Sequence, residues 1–192
     1  MLVFLDTEFT GLDHRWPRLI SIGLVSEDGA HCFYAETPRD TYLDKCSSWV
    51  VGNVLPLLKG GKYIMRPKEL GEALTAWLEG LGDVVVVCDS PDFDFAFLRA
   101  TLSPWPRCVD ITPLRFDDHS LGDGSSELNA VRELHLGPGG HKAHNALADA
   151  QALRAMWLAA RKMAAFQPFA ERLARVNPHP TLQALVKRTC HE

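Results

Sequence analysis

The chain opens Met1-Leu2-Val3-Phe4-Leu5-Asp6-Thr7-Glu8-Phe9, and this stretch decides how the rest is read. Residues 2–6 are almost all apolar and alternate little, the pattern of a strand buried on both faces. Residues two apart in an extended chain point the same way, so Asp6 and Glu8 put two carboxylates side by side at the strand's end. Burying two like charges together is costly unless a cation neutralises them. Hard oxygen donors of this kind favour magnesium or manganese over zinc. The blander alternative is an exposed strand end with two solvated acids. The segment has no basic n-region and reaches Asp6 at once, so it reads as a strand and not as a signal peptide.

Working outward, Leu19–Val25 reads as a second strand. Glu27-Asp28-Gly29 supplies a hairpin turn, and Cys32–Ala35 is the returning third strand. Asp44–Leu58 has helical spacing, with Pro56 ending or kinking it. Pro67–Leu81 is a helix with Pro at its start, an apolar stripe from Leu70 to Leu81, and Gly82 just beyond. Asp83–Cys88, with four consecutive valines, is a central strand. Ser90-Pro91 reads as an N-cap and first helical residue of a helix running to about Leu102. Arg107–Ile111 is a short fifth strand, residues 112–125 a polar loop, and Ser126–Leu134 a helix. Gly137-Pro138-Gly139-Gly140 breaks the chain before Ala146–Phe166, the longest helical pattern. Pro168, Pro178 and Pro180 segment the tail. A three-strand antiparallel meander followed by alternating helices and strands predicts an α/β domain with a mixed β-sheet flanked by helices. Sites in such sheets gather at strand ends and at the starts of the following helices.

Composition narrows the class. The 192 residues suffice for one domain with its own core. No apolar run approaches the roughly 18 residues of a membrane span, so a cytoplasmic protein without membrane contact is expected. The five cysteines are scattered and form no CxxC pair, which argues against a zinc site or disulfide framework. Residues 1–150 carry 13 Lys/Arg against 22 Asp/Glu, and residues 151–192 carry 7 against 2. An acidic body with a basic tail suits a polyanionic partner, or is simply a solvated helix face.

Two further signals carry chemistry. In Phe93-Asp94-Phe95-Ala96-Phe97-Leu98, an acid sits among residues meant for the core. If the helix begins at Pro91, Asp94 lies in its first turn, where free amides and the dipole favour negative charge. Asp89 and Asp92 compete with it. In His144-Asn145-Ala146-Leu147-Ala148-Asp149-Ala150, His144 and Asp149 fall on different faces of a continuous helix. His144 therefore sits before the helix or in its first turn, with Asp149 on the inner face among small and apolar residues. His141 is a nearby decoy.

Asp-x-Glu on the first strand, FDxxFL after a later strand and HxAxxD opening a late helix together resemble the DEDDh 3′–5′ exonucleases, over roughly Leu2 to Arg161. Small bacterial exoribonucleases such as RNase AS look nearest, and Ser48-Trp49-Val50-Val51-Gly52-Asn53-Val54-Leu55-Pro56 shares in that likeness. The resemblance implies a ribonuclease H-like fold, with residues 1–165 the exonuclease domain and 166–192 a C-terminal helical extension of it. It implies two divalent ions, Mg²⁺ with Mn²⁺ as substitute, held by Asp6, Glu8, Asp94 and Asp149. Asp6 would bridge them, Glu8 and Asp149 would serve the ion beside the attacking water, and Asp94 the one near the leaving 3′ oxygen. His144 would be the general base, a task suited to a side chain titrating near neutrality, and its Gly-rich surroundings would let it swing over the substrate.

Thr10, Gly11 and Leu12 would line the terminal nucleotide site, with Leu12 wedged against a base. Phe9 or Trp49 would stack on a base, or else pack in the core. Arg154, Arg161 and Lys162 are candidates for phosphate contacts. Many relatives carry His-Asn where this chain has Asp89-Ser90; Ser90 would replace a polar contact and cap the helix. The expected activity is 3′–5′ exoribonuclease cleavage of single-stranded RNA. The alternatives are a DNA exonuclease of the proofreading or repair type, a non-catalytic nucleic-acid-binding module, or a phosphatase acting on small nucleotides. Relatives of this type suggest a homodimer, with the Trp49 region or the 166–192 tail as contact surface.

Overall fold

The computed structural model describes residues 1–12, 16–122, 125–137 and 143–189. Five strands form one mixed sheet in the order β3-β2-β1-β4-β5: β1 (Leu2–Phe9), β2 (Leu19–Ser26), β3 (Cys32–Glu36), β4 (Val85–Cys88) and β5 (Leu114–Arg115). The first three pair antiparallel as the meander predicts, and β4 and β5 add in parallel beside β1. Among the described residues seven α-helices accompany them: α1 (Ser48–Asn53), α2 (Pro67–Glu79), α3 (Asp94–Thr101), α4 (Ser126–Leu136), α5 (Ala146–Ala160), α6 (Phe166–Val176) and α7 (Pro180–Thr189).

The two-residue period of β1 sorts its side chains to two cores. Val3 and Leu5 face Leu70, Leu74 and Leu78 of α2 and Phe95 and Leu98 of α3. Leu2 and Phe4 face the other way, onto Ala150, Leu153, Met156 and Trp157 of α5. Trp157 is fully buried and meets Phe4, Phe116, Phe166 and Phe169 at ring-centroid distances of 5.0–6.3 Å. Phe166, Phe169, Ala170 and Ala174 of α6 and Leu182 of α7 belong to this same core, so the tail helices are built into the body. Among the described residues no helix is long and apolar enough to cross a membrane. Cys32, Cys46, Cys88 and Cys108 are free thiols.

Several local readings are corrected. The fifth strand is Leu114–Arg115, within the stretch read as a polar loop, and not Arg107–Ile111. In that earlier stretch Val109 makes an isolated bridge to Val84, the residue before β4. Val109 N–H turns back to the Pro106 carbonyl, and sheet pairing resumes at Leu114 opposite Val87. The 44–58 segment is broken. Cys46 and Ser47 are extended, and Ser47 N–H is drawn to the Thr10 carbonyl. The Ser47 hydroxyl then caps the six-residue α1, accepting from Val50 N–H, and Pro56 sits in a separate 3₁₀ turn, Leu55–Leu57. The longest helix stops at Ala160, because the chain turns through 161–165 to bring Phe166 onto Trp157. Ser90 does not cap α3. Its carbonyl accepts both Phe93 N–H and Asp94 N–H, making 90–93 a turn, and the helix begins at Asp94.

Candidate metal centre and active site

The same period that sorts the core sets the site. Asp6 and Glu8 continue the Leu2–Phe4 face of β1 and therefore point toward α5, while Thr7 points toward α3. Asp149 lies in the first turn of α5 and Asp94 is the first residue of α3. Thr7 holds Asp94 through two hydrogen bonds to Oδ1, its N–H at 3.0 Å and its hydroxyl at 2.6 Å. Asp149 Oδ2 accepts the His144 N–H at 2.7 Å. Asn145 caps α5 by accepting from Ala148 N–H, and its amide donates to the Leu57 carbonyl and the Tyr34 hydroxyl. The helix start is thereby tied to β3 and to the loop after α1.

Two sets of carboxylates converge. Oxygens of Asp6, Glu8 and Asp149 lie within 4.8 Å of one another, and so do oxygens of Asp6, Asp89 and Asp94. Asp6 is common to both. The parallel register explains the second set: Phe4 pairs with Val87, so two residues further on Asp6 and Asp89 leave adjacent strands at the same level.

The electrostatic cost is visible in the acidities. Burial holds Asp6 well above the ordinary carboxylate range, with Asp94, Asp149, Glu8 and Asp89 adding like-charge repulsion. Burial, then the charges of Asp149, Asp94 and Asp89, raises Glu8 to about 8. Burial raises Asp94 to about 7 against the Thr7 hydrogen bonds that oppose it. Asp149 is raised by burial too, opposed chiefly by the Arg132 guanidinium and the His144 N–H. Asp6 Oδ2 and Asp149 Oδ1 are buried with no hydrogen-bond partner. Buried oxygens without a hydrogen bond are costly, and a shared set of hard anionic donors is what a divalent cation would satisfy. The acidic cluster thus fits divalent metal binding.

The remaining candidates divide. His144 adopts φ +67°, and its imidazole meets the Trp49 indole edge to face, centroids 4.7 Å apart. Trp49 is 52% exposed and Leu12 70% exposed, so both have surface to offer a ligand. Gly11 has φ +123°, and a side chain there would crowd the Ser47 hydroxyl. Thr10 is fully buried, and its hydroxyl accepts from Arg18 N–H, which leaves its side chain no surface for a ligand. Phe9 is stacked on Phe93 at 5.2 Å and touches Phe97 at 5.4 Å, so its neighbours are aromatic side chains of α3 and the turn before it. Ser90 is exposed. Arg154 Nε donates to the Glu27 carbonyl and Arg161 pairs with the Glu27 carboxylate, which turns both toward the β2–β3 hairpin and away from the carboxylates. Lys162 follows them at the exposed end of α5. His141 lies outside the described residues, as does the Pro138–Gly140 part of the glycine-rich break.

Two residues at the site escaped the sequence reading. Asp89 stands in the sequence only as a competitor of Asp94, although its place at the end of the valine strand, one residue beyond Cys88, is a usable signal. No motif or spacing in the sequence marks Arg132. It lines the cleft together with Asp6, Asp89, Asp117, Asp118 and Asp149.

No protein-family model matches the chain. Compared with individual proteins, it is 29% identical over 165 residues to the DNA polymerase III PolC-type of Thermotoga maritima. That stretch covers 81% of this chain and 11% of the polymerase, so the chain spans about a tenth of the relative it matches.

Proposed function

We propose that this chain is a divalent-metal-dependent 3′–5′ exonuclease of the DEDDh type on a ribonuclease H-like fold, removing nucleotides from single-stranded RNA. The observation that carries the reading is the pair of carboxylate sets sharing Asp6, with the backbone of His144 fastened to Asp149. The mixed sheet with its antiparallel meander and parallel β4 and β5 supports the fold assignment. Residues 1–165 would be the exonuclease domain and 166–192 its helical extension, consistent with the tail side chains buried in the shared core.

Asp6, Glu8 and Asp149 would hold one Mg²⁺ or Mn²⁺ ion, and Asp6 with Asp94 a second. Ions so placed supply positive charge for the attacking and leaving oxygens of a phosphodiester. The protein's own contribution is orientation and proton transfer. His144 would take the proton from the attacking water, and its N–H on Asp149 keeps the imidazole's backbone in register with the carboxylates. Trp49 limits where that ring can lie. Leu12, Gly11, Trp49 and Ser90 would line the path of the strand, Trp49 offering the stacking surface. For Phe9 and Thr10 the packing described above favours a supporting role.

RNA rests on the resemblance in the sequence motifs. The similarity to a protein named as a DNA polymerase favours a second reading, the same chemistry on DNA, and gives no support to RNase AS in particular. The deciding experiment is a time course on matched 5′-labelled single-stranded RNA and DNA with Mg²⁺, with Mn²⁺ and with chelator, beside Asp6→Ala. A ladder of 3′-shortened RNA that disappears with chelator and in the variant is expected. The same ladder mainly on DNA would establish the second reading. Strand binding without cleavage would leave only a binding module.

A further inference from the structure

On that reading, we propose that Arg132 is a substrate-phosphate residue, held against Asp149 until metal ions take its place there. Arg132 lies on α4 between Leu128 and Leu136, four residues from each, and both leucines are buried. It therefore lies on the same side of the helix as these two leucines, with its side chain reaching out from their edge. From there its guanidinium reaches Asp149 Oδ1 at 3.6 Å. That is close enough for charge attraction but too long for a hydrogen bond, and the oxygen is among those without a hydrogen-bond partner. The contact is an electrostatic stopgap, not a locked pair, and the Arg132 side chain is still 46% exposed.

Arg132 is the cation among the described residues lining the cleft, against five carboxylates. Leu153 and Met156 complete the lining without charge, so of these side chains Arg132 is the one that attracts a phosphodiester. Ions bound at Asp6, Glu8 and Asp149 would satisfy Asp149 Oδ1 and repel the guanidinium. Released, Arg132 has the planar fork that suits a phosphate, at the mouth of the site.

The test uses the whole protein with Arg132→Gln and Arg132→Lys. Steady-state kinetics on labelled oligonucleotide are run over a KCl series, and Mn²⁺ binding without nucleic acid is titrated by EPR. Arg132→Gln is expected to raise KM roughly tenfold with little change in kcat. The slope of log(kcat/KM) against log[KCl] should shrink by about 0.7, one phosphate contact on a single strand. Mn²⁺ should bind the variant at least as tightly as wild type. Arg132→Lys should keep the salt slope and recover part of the KM. Unchanged KM and slope, or weakened Mn²⁺ binding, would overturn the proposal and make Arg132 a support for Asp149. Failure of the wild type itself to cleave would remove the exonuclease reading and this inference with it.

Discussion

Gly23 is the cross-strand partner of Asp6, and the first turn of α5 lies directly against it. A Cβ at Gly23 would overlap Leu147 N and Ala146 C. The missing side chain lets α5 come down on the sheet beside Asp6, so that Asp149 can join Asp6 and Glu8.

Gly23→Ala should therefore damage both stability and metal binding. The obstruction is backbone, which cannot rotate away, so a cost of about 2 kcal/mol or more is expected. For a chain of this size that is a fall in Tm of at least ~4 °C. Thermal melts and Mn²⁺ titration check it; a variant with unchanged Tm and Mn²⁺ affinity would show that α5 shifts freely.

Stability without metal should fall as pH rises. Glu8 near 8 and Asp94 near 7 keep protons in the folded chain that the unfolded chain releases at ordinary carboxylate values. From about pH 4.5 to 8 the folded state therefore binds more protons, and each step up in pH disfavours it. Melts in chelator should show Tm highest near pH 5 and falling steadily to pH 8.5. Saturating Mg²⁺ or Mn²⁺ should flatten that fall. A Tm independent of pH in chelator would contradict the buried-carboxylate account.

Asp6→Asn should separate folding from metal binding. It removes the charge common to both carboxylate sets while keeping the shape. In chelator the variant should melt higher than wild type near neutral pH, because Asn is neutral without the proton that folding forces onto the buried Asp6. The rise in Tm that Mn²⁺ gives the wild type should largely vanish in the variant, as should cleavage. Retention of the wild-type Mn²⁺ response would exclude Asp6 as the shared ligand.

Asn145→Ala should weaken the helix start and the chemistry together. It deletes the α5 cap and two donors, to Leu57 and Tyr34. A loss of about 1–2 kcal/mol is expected. Asn145→Asp restores the cap acceptor but not the donors, so it should recover part of the stability and little of kcat. Full recovery of kcat in Asn145→Asp would mean that the tie to β3 is irrelevant to His144.

Much of this protein is legible in local pattern. The apolar run of β1 ending in Asp6 and Glu8 marks a buried strand with two acids on one face. The meander, the Pro67 helix and the valine strand are written in two-residue and 3.6-residue periods, which neighbouring residues impose on one another. The placement of Asp149 on the inner face of the late helix follows from the same periodicity, whereas Asp94 opens its helix and does not follow a Pro91 start.

Other features depended on residues far away in the chain. The fifth strand is Leu114–Arg115 because only there does the chain come alongside β4. Helix 44–58 is broken because Ser47 bonds to Thr10 at the end of β1. Asp89 joins Asp6 through the register of two parallel strands, and Arg132 meets Asp149 only because α4 packs on α5. Sequence spacing carries the torsional and burial preferences of adjacent residues, and these settled the elements and the candidate acids. Which acids share a centre, which cation faces them and which helix may approach were settled by packing across the sheet, where the energy of a contact depends on both partners and neither encodes it alone.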